Sequence, residues 1–420
     1  AEVVAATTPT EPDQQPGAGR PKRSAPVALV AALAVGAVIG GASGAGVTMW
    51  ATSTNAPASV VTNSSPSTIT VNDPANANQV TAVAAKASPS VVTIGVSSDT
   101  AGGTGSGVIL DTEGHVLTNA HVITLEGATA NPTIQVTSYD GHLYAATVVG
   151  IDAISDLAVI KLTDATGLVP AEFADSSALN VGDTAIMIGA PLGLSSSVSD
   201  GIVSALNRSI TVASSAVPDS TDTTTPAPNG ENPFDLWNFD VPGGSTTPTT
   251  SSTISLSVLQ TNAGINPGSS GGALVDDQGR VIGINVAIAT TSSSGQSGSI
   301  GIGFAIPSNL AQRIAGELIA TGTATHGLLG ASVTDVTEDS TQADSKVIGA
   351  SIVEISAGGA AHIAGLKVGD VITQIDGLPV TGKTDLTAQV RSLAGGAKST
   401  LSYVRDGKSA TVTVTLGTLG

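Results

Sequence analysis

The run Asn266-Pro267-Gly268-Ser269-Ser270-Gly271-Gly272 constrains this chain more than any other stretch. Glycines at 268, 271 and 272 permit a tight turn in which the N–H groups of Gly268 and Ser270 converge on one point, a geometry that a side chain at 268 would hinder. A serine hydroxyl placed there attacks a carbonyl only if a base removes its proton and nearby N–H groups receive the oxyanion. Serine-glycine loops also serve as plain turns. The run therefore has to be weighed against what the rest of the chain offers it.

The chain holds five histidines: His115, His121, His142, His326 and His362. His121 ends the run Val116-Leu117-Thr118-Asn119-Ala120-His121, where an apolar stretch hands over to small and polar residues, as at a strand end facing a cleft. His115 and His142 each follow a glycine in an expected hairpin turn and read as exposed turn residues; His326 and His362 fall far downstream. A carboxylate must then fix the imidazole tautomer. Asp156, at the start of the apolar strand Leu157-Ala158-Val159-Ile160, is preferred to Asp152, four residues earlier on the expected preceding turn, because a strand orients a side chain more rigidly. The order His121, Asp156, Ser270 is that of chymotrypsin-like proteases, not of subtilisins or α/β-hydrolases.

These residues and their surroundings resemble the HtrA/DegP serine proteases. The matching pieces are Gly105-Ser106-Gly107, Thr118-Asn119-Ala120-His121-Val122, Ser155-Asp156-Leu157-Ala158-Val159, Gly201-Ile202-Val203-Ser204-Ala205, Gln260 to Gly272, and Gly301-Ile302-Gly303-Phe304-Ala305-Ile306-Pro307. The resemblance implies a mostly β chain: a chymotrypsin-like double six-stranded β-barrel followed by a small α+β PDZ domain. It also implies His121, Asp156 and Ser270 as catalytic residues, with Gly268 and Ser270 as the oxyanion hole. Two departures stand out, Asn262 where relatives carry Asp and Ser269 where they carry Asn. In that arrangement Gly264, six residues before Ser270, floors the substrate pocket, and Val286, Ala287 and Phe304 lie in its walls. A basic side chain would be buried there without a partner, so cleavage after small aliphatic residues is expected.

Composition limits the alternatives. With 50 glycines, 11% charged and 2% aromatic residues, the cores must be built from Ala, Val, Ile and Leu, which suits turn-rich barrels better than helical bundles. A formal charge of −18 argues against nucleic acid as a partner. Cysteine is absent, so no disulfide staples the fold. No motif indicates a cofactor, and no cluster of Cys, His or Asp has metal-ligand spacing.

Residues 1–26 read as a disordered cytoplasmic segment. Arg20, Lys22 and Arg23 precede an uncharged, mostly apolar run over 27–50, roughly 35 Å if helical and long enough to cross a bilayer. Basic residues on its N-terminal side would keep that end cytoplasmic and place the rest outside, as a single-pass cell-membrane protein. A cleaved signal, giving a secreted product, and a buried helix are the competing readings. Residues 51–80 read as a flexible linker, 81–321 as the protease domain and 325–420 as the PDZ domain. A disordered Ser/Thr/Pro/Asp insertion is expected at about 213–252; Phe234, Trp237 and Phe239 within it put three of the chain's nine aromatics in one short stretch. It is either a solvated loop or a regulatory element that docks on an apolar groove.

Ala360 to Ile372, followed by Gln374-Ile375-Asp376-Gly377, resembles the helix, turn and strand of a bacterial PDZ domain. Leu328, Leu329, Gly330 and Ala331 resemble its carboxylate-binding loop, where backbone N–H groups would hold a peptide C-terminus; the alternative is an ordinary glycine turn. The function this implies is an ATP-independent serine endopeptidase degrading unfolded or damaged extracytoplasmic proteins, assembled as a homotrimer and regulated by peptide C-termini. A regulatory protease with one membrane substrate, and a peptide-binding scaffold or chaperone with an idle protease domain, are the alternatives.

Overall fold

The computed structural model describes residues 77–99, 101–190, 197–216, 253–288, 301–342 and 345–419. The apolar run at 27–50 and most of the insertion at 213–252 lie outside them. Among the described residues no helix is long and apolar enough to cross a membrane.

A short helix, α1 (Gln79–Ala87), is capped by the Asn78 side chain and buries Val83, Ala84 and Ala87. The first barrel then closes in the order β1-β2-β3-β6-β5-β4. Its strands are β1 (Val91–Ser97), β2 (Gly102–Ile109), β3 (His115–Thr118), β4 (Thr133–Thr137), β5 (Leu143–Asp152) and β6 (Leu157–Leu162). Strand β1 shows why: alternate residues Val92, Ile94 and Val96 point inward and the residues between them are partly open, the period of a half-buried strand. A one-turn helix, α2 (Ala120–Thr124), leaves the end of β3 and stops at Leu125, which is left-handed.

The second barrel closes in the order β10-β11-β12-β9-β8-β7. It comprises β7 (Thr184–Gly189), β8 (Ser197–Ala213), β9 (Thr253–Thr261), β10 (Ala273–Val275), β11 (Val281–Ile288) and β12 (Gly303–Pro307). Every strand neighbour in both barrels is antiparallel. As expected from composition, the buried core is Ile, Val, Leu and Ala, with Met187 and Phe304 the larger exceptions. Helix α3 (Ser308–Thr321) covers the barrels with Ala311, Ile314, Ala315 and Leu318, spaced at i, i+3, i+4 and i+7 so that they share one face. Burying Ile314 and Leu318 contributes about 2 kcal/mol each.

The C-terminal module pairs β13 (His326–Leu328) with β20 (Gly417–Leu419). Its larger sheet runs β14 (Ala331–Asp335), β15 (Ala350–Ile355), β16 (Val371–Ile375), β18 (Lys398–Arg405) and β19 (Lys408–Thr415), with β17 (Leu378–Pro379) beside β16. Helices α4 (Ala360–Ile363) and α5 (Lys383–Ser392) complete it, and Leu329, Ile352, Leu366, Ile372, Leu386 and Leu401 are among its core.

Two sequence expectations need correction. His115 is not an exposed turn residue: its side chain is 12% exposed, with Nδ1 2.5 Å from Asp111 and Nε2 3.4 Å from the Lys161 ammonium. The hairpin folds residues i, i+2 and i+4 onto one side, so Asp111, Glu113 and His115 come within 4.8 Å of one another although no ligand spacing is legible. Asp111 accepts from the N–H groups of Glu113 and His115, and Lys161 pairs with Glu113, so these polar groups are occupied in locking the turn. Asp152, expected on a turn, is instead the last residue of β5.

Candidate active site

Asp156 ends the turn joining β5 to β6 and adopts φ 51°, a left-handed conformation that Asp tolerates better than most residues. The Asn119 side-chain amide donates to the Asp156 carbonyl at 2.9 Å and so fixes that turn against the end of β3. The buried Asp156 carboxylate then grips His121 at two points: Oδ1 accepts from the His121 backbone N–H at 2.9 Å, and Oδ2 lies 2.8 Å from Nδ1. A carboxylate on Nδ1 sets the tautomer that leaves Nε2 as the acceptor. Burial works against the charged imidazolium, but the Asp156 and Glu126 carboxylates outweigh it and hold His121 above the ordinary histidine value.

The loop carrying Ser270 comes from the second barrel, between Ile265 and β10. Gly268 adopts φ 90°. At Gly271, with φ 82°, a Cβ would stand 2.2 Å from the Ser106 carbonyl, so only glycine fits the loop this close to β2. Ser269 N–H donates to Asn266 O at 2.9 Å, Gly272 N–H to Ser269 O at 3.0 Å and Gly271 N–H to Asn285 O at 2.8 Å. Among the described residues the N–H groups of Gly268 and Ser270 are spent on no protein acceptor, as an oxyanion hole requires. The Ser270 hydroxyl lies 3.5 Å from the Val286 carbonyl, a contact at the outer limit for a hydrogen bond that leaves its rotor unfixed.

Near it, Gly264 N–H donates to the Ser199 hydroxyl at 2.7 Å, so the expected pocket floor is tied to β8. Val286 and Phe304 are buried on β11 and β12, and Ala287 pairs with Phe304 in the backbone register. Of the two departures, Asn262 accepts from Ile202 N–H at 2.8 Å through its side-chain oxygen, a role Asp could also fill. The Ser269 hydroxyl is fully buried and has no hydrogen-bond partner among the described residues.

In the C-terminal module Gly330 adopts φ 69°, Leu329 is buried and Leu328 is exposed at the end of β13. Ser356 N–H donates to Gly330 O and Ala361 N–H to Leu329 O, which leaves the Leu329 and Gly330 N–H groups without a protein acceptor among the described residues. Ala331 opens β14.

Sequence reasoning missed His326. Its fully buried ring has Nε2 2.9 Å from Asp152 Oδ1 and Nδ1 2.8 Å from the Arg391 carbonyl at the end of α5. Arg313 of α3 donates to Thr325 O and Ser392 O close by. Nothing in the sequence spacing announces a pair 174 residues apart.

Two closed six-stranded barrels with a His–Asp pair from one and a glycine-framed serine loop from the other define a trypsin-like peptidase body, followed here by a PDZ-type module. Residues 105–284 match the trypsin-like peptidase domain family, and residues 327–416 match the PDZ domain family. Serine protease PepD of Mycobacterium tuberculosis is 39% identical over 415 residues, covering 96% of this chain and 80% of that protein. Periplasmic serine endoprotease DegP of Escherichia coli is 37% identical over 316 residues, 74% of this chain; the chain spans 56% of DegP's length. The solved structure of the HtrA-type protease AlgW with tripeptide is 31% identical with a TM-score of 0.54, covering 81% of this chain and 97% of that one. The chain belongs to the HtrA-type serine proteases, trypsin-like peptidases that carry a PDZ domain.

Proposed function

We propose that this protease is an ATP-independent endopeptidase of unfolded or damaged extracytoplasmic proteins, with Ser270 as nucleophile, His121 as general base and Asp156 as its orienting carboxylate. The observation that carries the assignment is the two-point grip of Asp156 on His121 together with the unspent N–H groups of Gly268 and Ser270. His121 takes the proton from Ser270 as the hydroxyl attacks the scissile carbonyl. The oxyanion of the tetrahedral intermediate is received by the Gly268 and Ser270 N–H groups. His121 then protonates the leaving amine, and water hydrolyses the acyl-enzyme by the reverse sequence.

Gly264 on the pocket floor, with Val286, Ala287 and Phe304 in its walls, suits small aliphatic side chains and gives a basic one no partner. Peptide C-termini engage the Leu328-Leu329-Gly330-Ala331 loop, where the Leu329 and Gly330 N–H groups are available, and regulate the peptidase body. The buried His326–Asp152 bond and the part-buried Arg313–Ser392 bond connect the two. The run at 27–50 tethers the protein to the cell membrane with residues 1–26 in the cytoplasm, and the active unit is a homotrimer; both rest on resemblance and on sequence.

Incubating the purified chain with unfolded casein, without ATP, tests this reading. Fragments ending in Val, Ala or Ile, and none from the Ser270→Ala protein, are expected. Cleavage mainly after Arg or Lys overturns the pocket assignment, and casein left intact at every concentration of C-terminal peptide favours the scaffold alternative.

A further inference from the structure

Ser106 lies at the middle of β2, is fully buried, and belongs to none of the catalytic groups above. Its backbone and hydroxyl nevertheless reach three separate segments. Its N–H donates to the Ser270 carbonyl at 2.8 Å, and its hydroxyl donates to the Gly268 carbonyl at 2.8 Å. The same oxygen accepts from Ala190 N–H at 2.8 Å, at the end of β7, and that bond directs the hydroxyl proton toward Gly268. Its carbonyl accepts from the Thr118 hydroxyl at 2.7 Å, three residues before His121.

The peptide plane between Gly268 and Ser269 is thereby held at both ends, by Ser106 on its oxygen and by Asn266 on its N–H. It lies between the two planes whose N–H groups form the oxyanion hole. Gly268 has no side chain to resist rotation, so an unclamped plane there would turn at little steric cost. The Ser106–Gly268 bond is buried, where the loss of a partner is felt most.

We propose that Ser106 is a positioning residue for peptide hydrolysis: its hydroxyl locks the Gly268–Ser269 peptide so that both oxyanion donors stay aimed at the substrate carbonyl. Through Thr118 the same residue sets that hole against the strand that delivers His121. The proposal rests on Ser270 being the nucleophile, which the labelling of the wild-type chain by a fluorophosphonate checks separately.

The test compares wild type with Ser106→Ala for peptide hydrolysis and for inhibition by a substrate-like peptide aldehyde, whose hemiacetal places an oxyanion in the hole. Ser106→Ala is expected to lower kcat about 10- to 100-fold, with KM changed less than about twofold and aldehyde affinity falling in step with kcat. A merely structural role would instead reduce the fraction of active enzyme and leave the aldehyde affinity of the remainder unchanged. Should Ser106→Ala fail to fold, Ser106→Cys keeps the shape with a poor donor and carries the same expectation in weaker form. A soluble variant with wild-type kcat and wild-type aldehyde affinity overturns the proposal, and an unlabelled wild type overturns the nucleophile assignment beneath it.

Discussion

His326 Nε2 stands 2.9 Å from Asp152 Oδ1, a wholly buried contact joining the first strand of the PDZ module to the strand that ends four residues before Asp156. Both ring nitrogens face oxygens, Asp152 on one side and the Arg391 carbonyl on the other. The second Asp152 oxygen has no hydrogen-bond partner among the described residues, so His326 is the only side chain there that bonds this carboxylate.

Removing one member should therefore cost more than removing both. His326→Leu leaves Asp152 buried without its side-chain partner, with only the Ile154 N–H still donating to Oδ1, and a loss of about 1–3 kcal/mol is expected in urea unfolding. The double variant His326→Leu/Asp152→Leu should recover 1 kcal/mol or more, roughly, relative to the sum of the single changes. A cycle additive to within about 0.5 kcal/mol contradicts a direct interaction.

The raised proton affinity of His121 fixes the pH dependence. An imidazolium cannot accept the Ser270 proton, so kcat/KM should fall as pH drops through the His121 value, with a midpoint above 6.5. Ion-pair stabilisation runs the opposite way: it is present while His121 is charged and is lost as pH rises through the folded-state value. Glu126→Gln removes one of the two carboxylates that raise it, so the acid limb should move to lower pH. A limb that stays in place contradicts the assigned cause.

Gly271→Ala should be close to a null variant. Its Cβ would lie 2.2 Å from the Ser106 carbonyl and 2.3 Å from the Thr118 hydroxyl, at φ 82°. Strain and clash together should cost about 3 kcal/mol or more, and hydrolysis should disappear with it. A variant with unchanged melting temperature and kcat would show that the loop does not sit against β2.

Capture of a peptide terminus by backbone N–H groups makes the free carboxylate decisive. A peptide with a free C-terminus should bind at least about 10-fold more tightly than its amide, since a charge-assisted bond is worth about 1.5–3 kcal/mol. Isothermal titration of the two peptides gives the comparison. Equal affinities would leave Leu329 and Gly330 as an ordinary turn.

Much of the architecture is legible because barrel strands write a local, period-two pattern; in β1 the apolar Val92, Ile94 and Val96 alternate with Thr93, Gly95 and Ser97 and mark the inward face without any tertiary information. The candidate triad was legible because His121, Asp156 and Ser270 each sit in a distinctive short motif in a telling order. The connections between those motifs were not. Ser106 reads as a residue between two glycines, and only folding shows that its hydroxyl clamps a peptide 162 residues away. Asp152 and His326 are hidden for the same reason, and the places expected of the two carboxylates are exchanged: Asp152 ends β5, while Asp156, expected to start the strand, ends the turn before it. The burial of His115 is not legible locally, since exposure of a hairpin residue depends on the neighbouring strand, here Lys161 on β6.

The most direct measurement is active-site labelling. The chain is treated with a fluorophosphonate probe, digested, and the adduct mapped by mass spectrometry, alongside Ser270→Ala and His121→Ala. A single adduct on Ser270, absent from Ser270→Ala and slowed about 10⁴-fold or more in His121→Ala, is the expected result. An adduct on another serine, or labelling of Ser270 at the same rate without His121, would contradict the catalytic assignment.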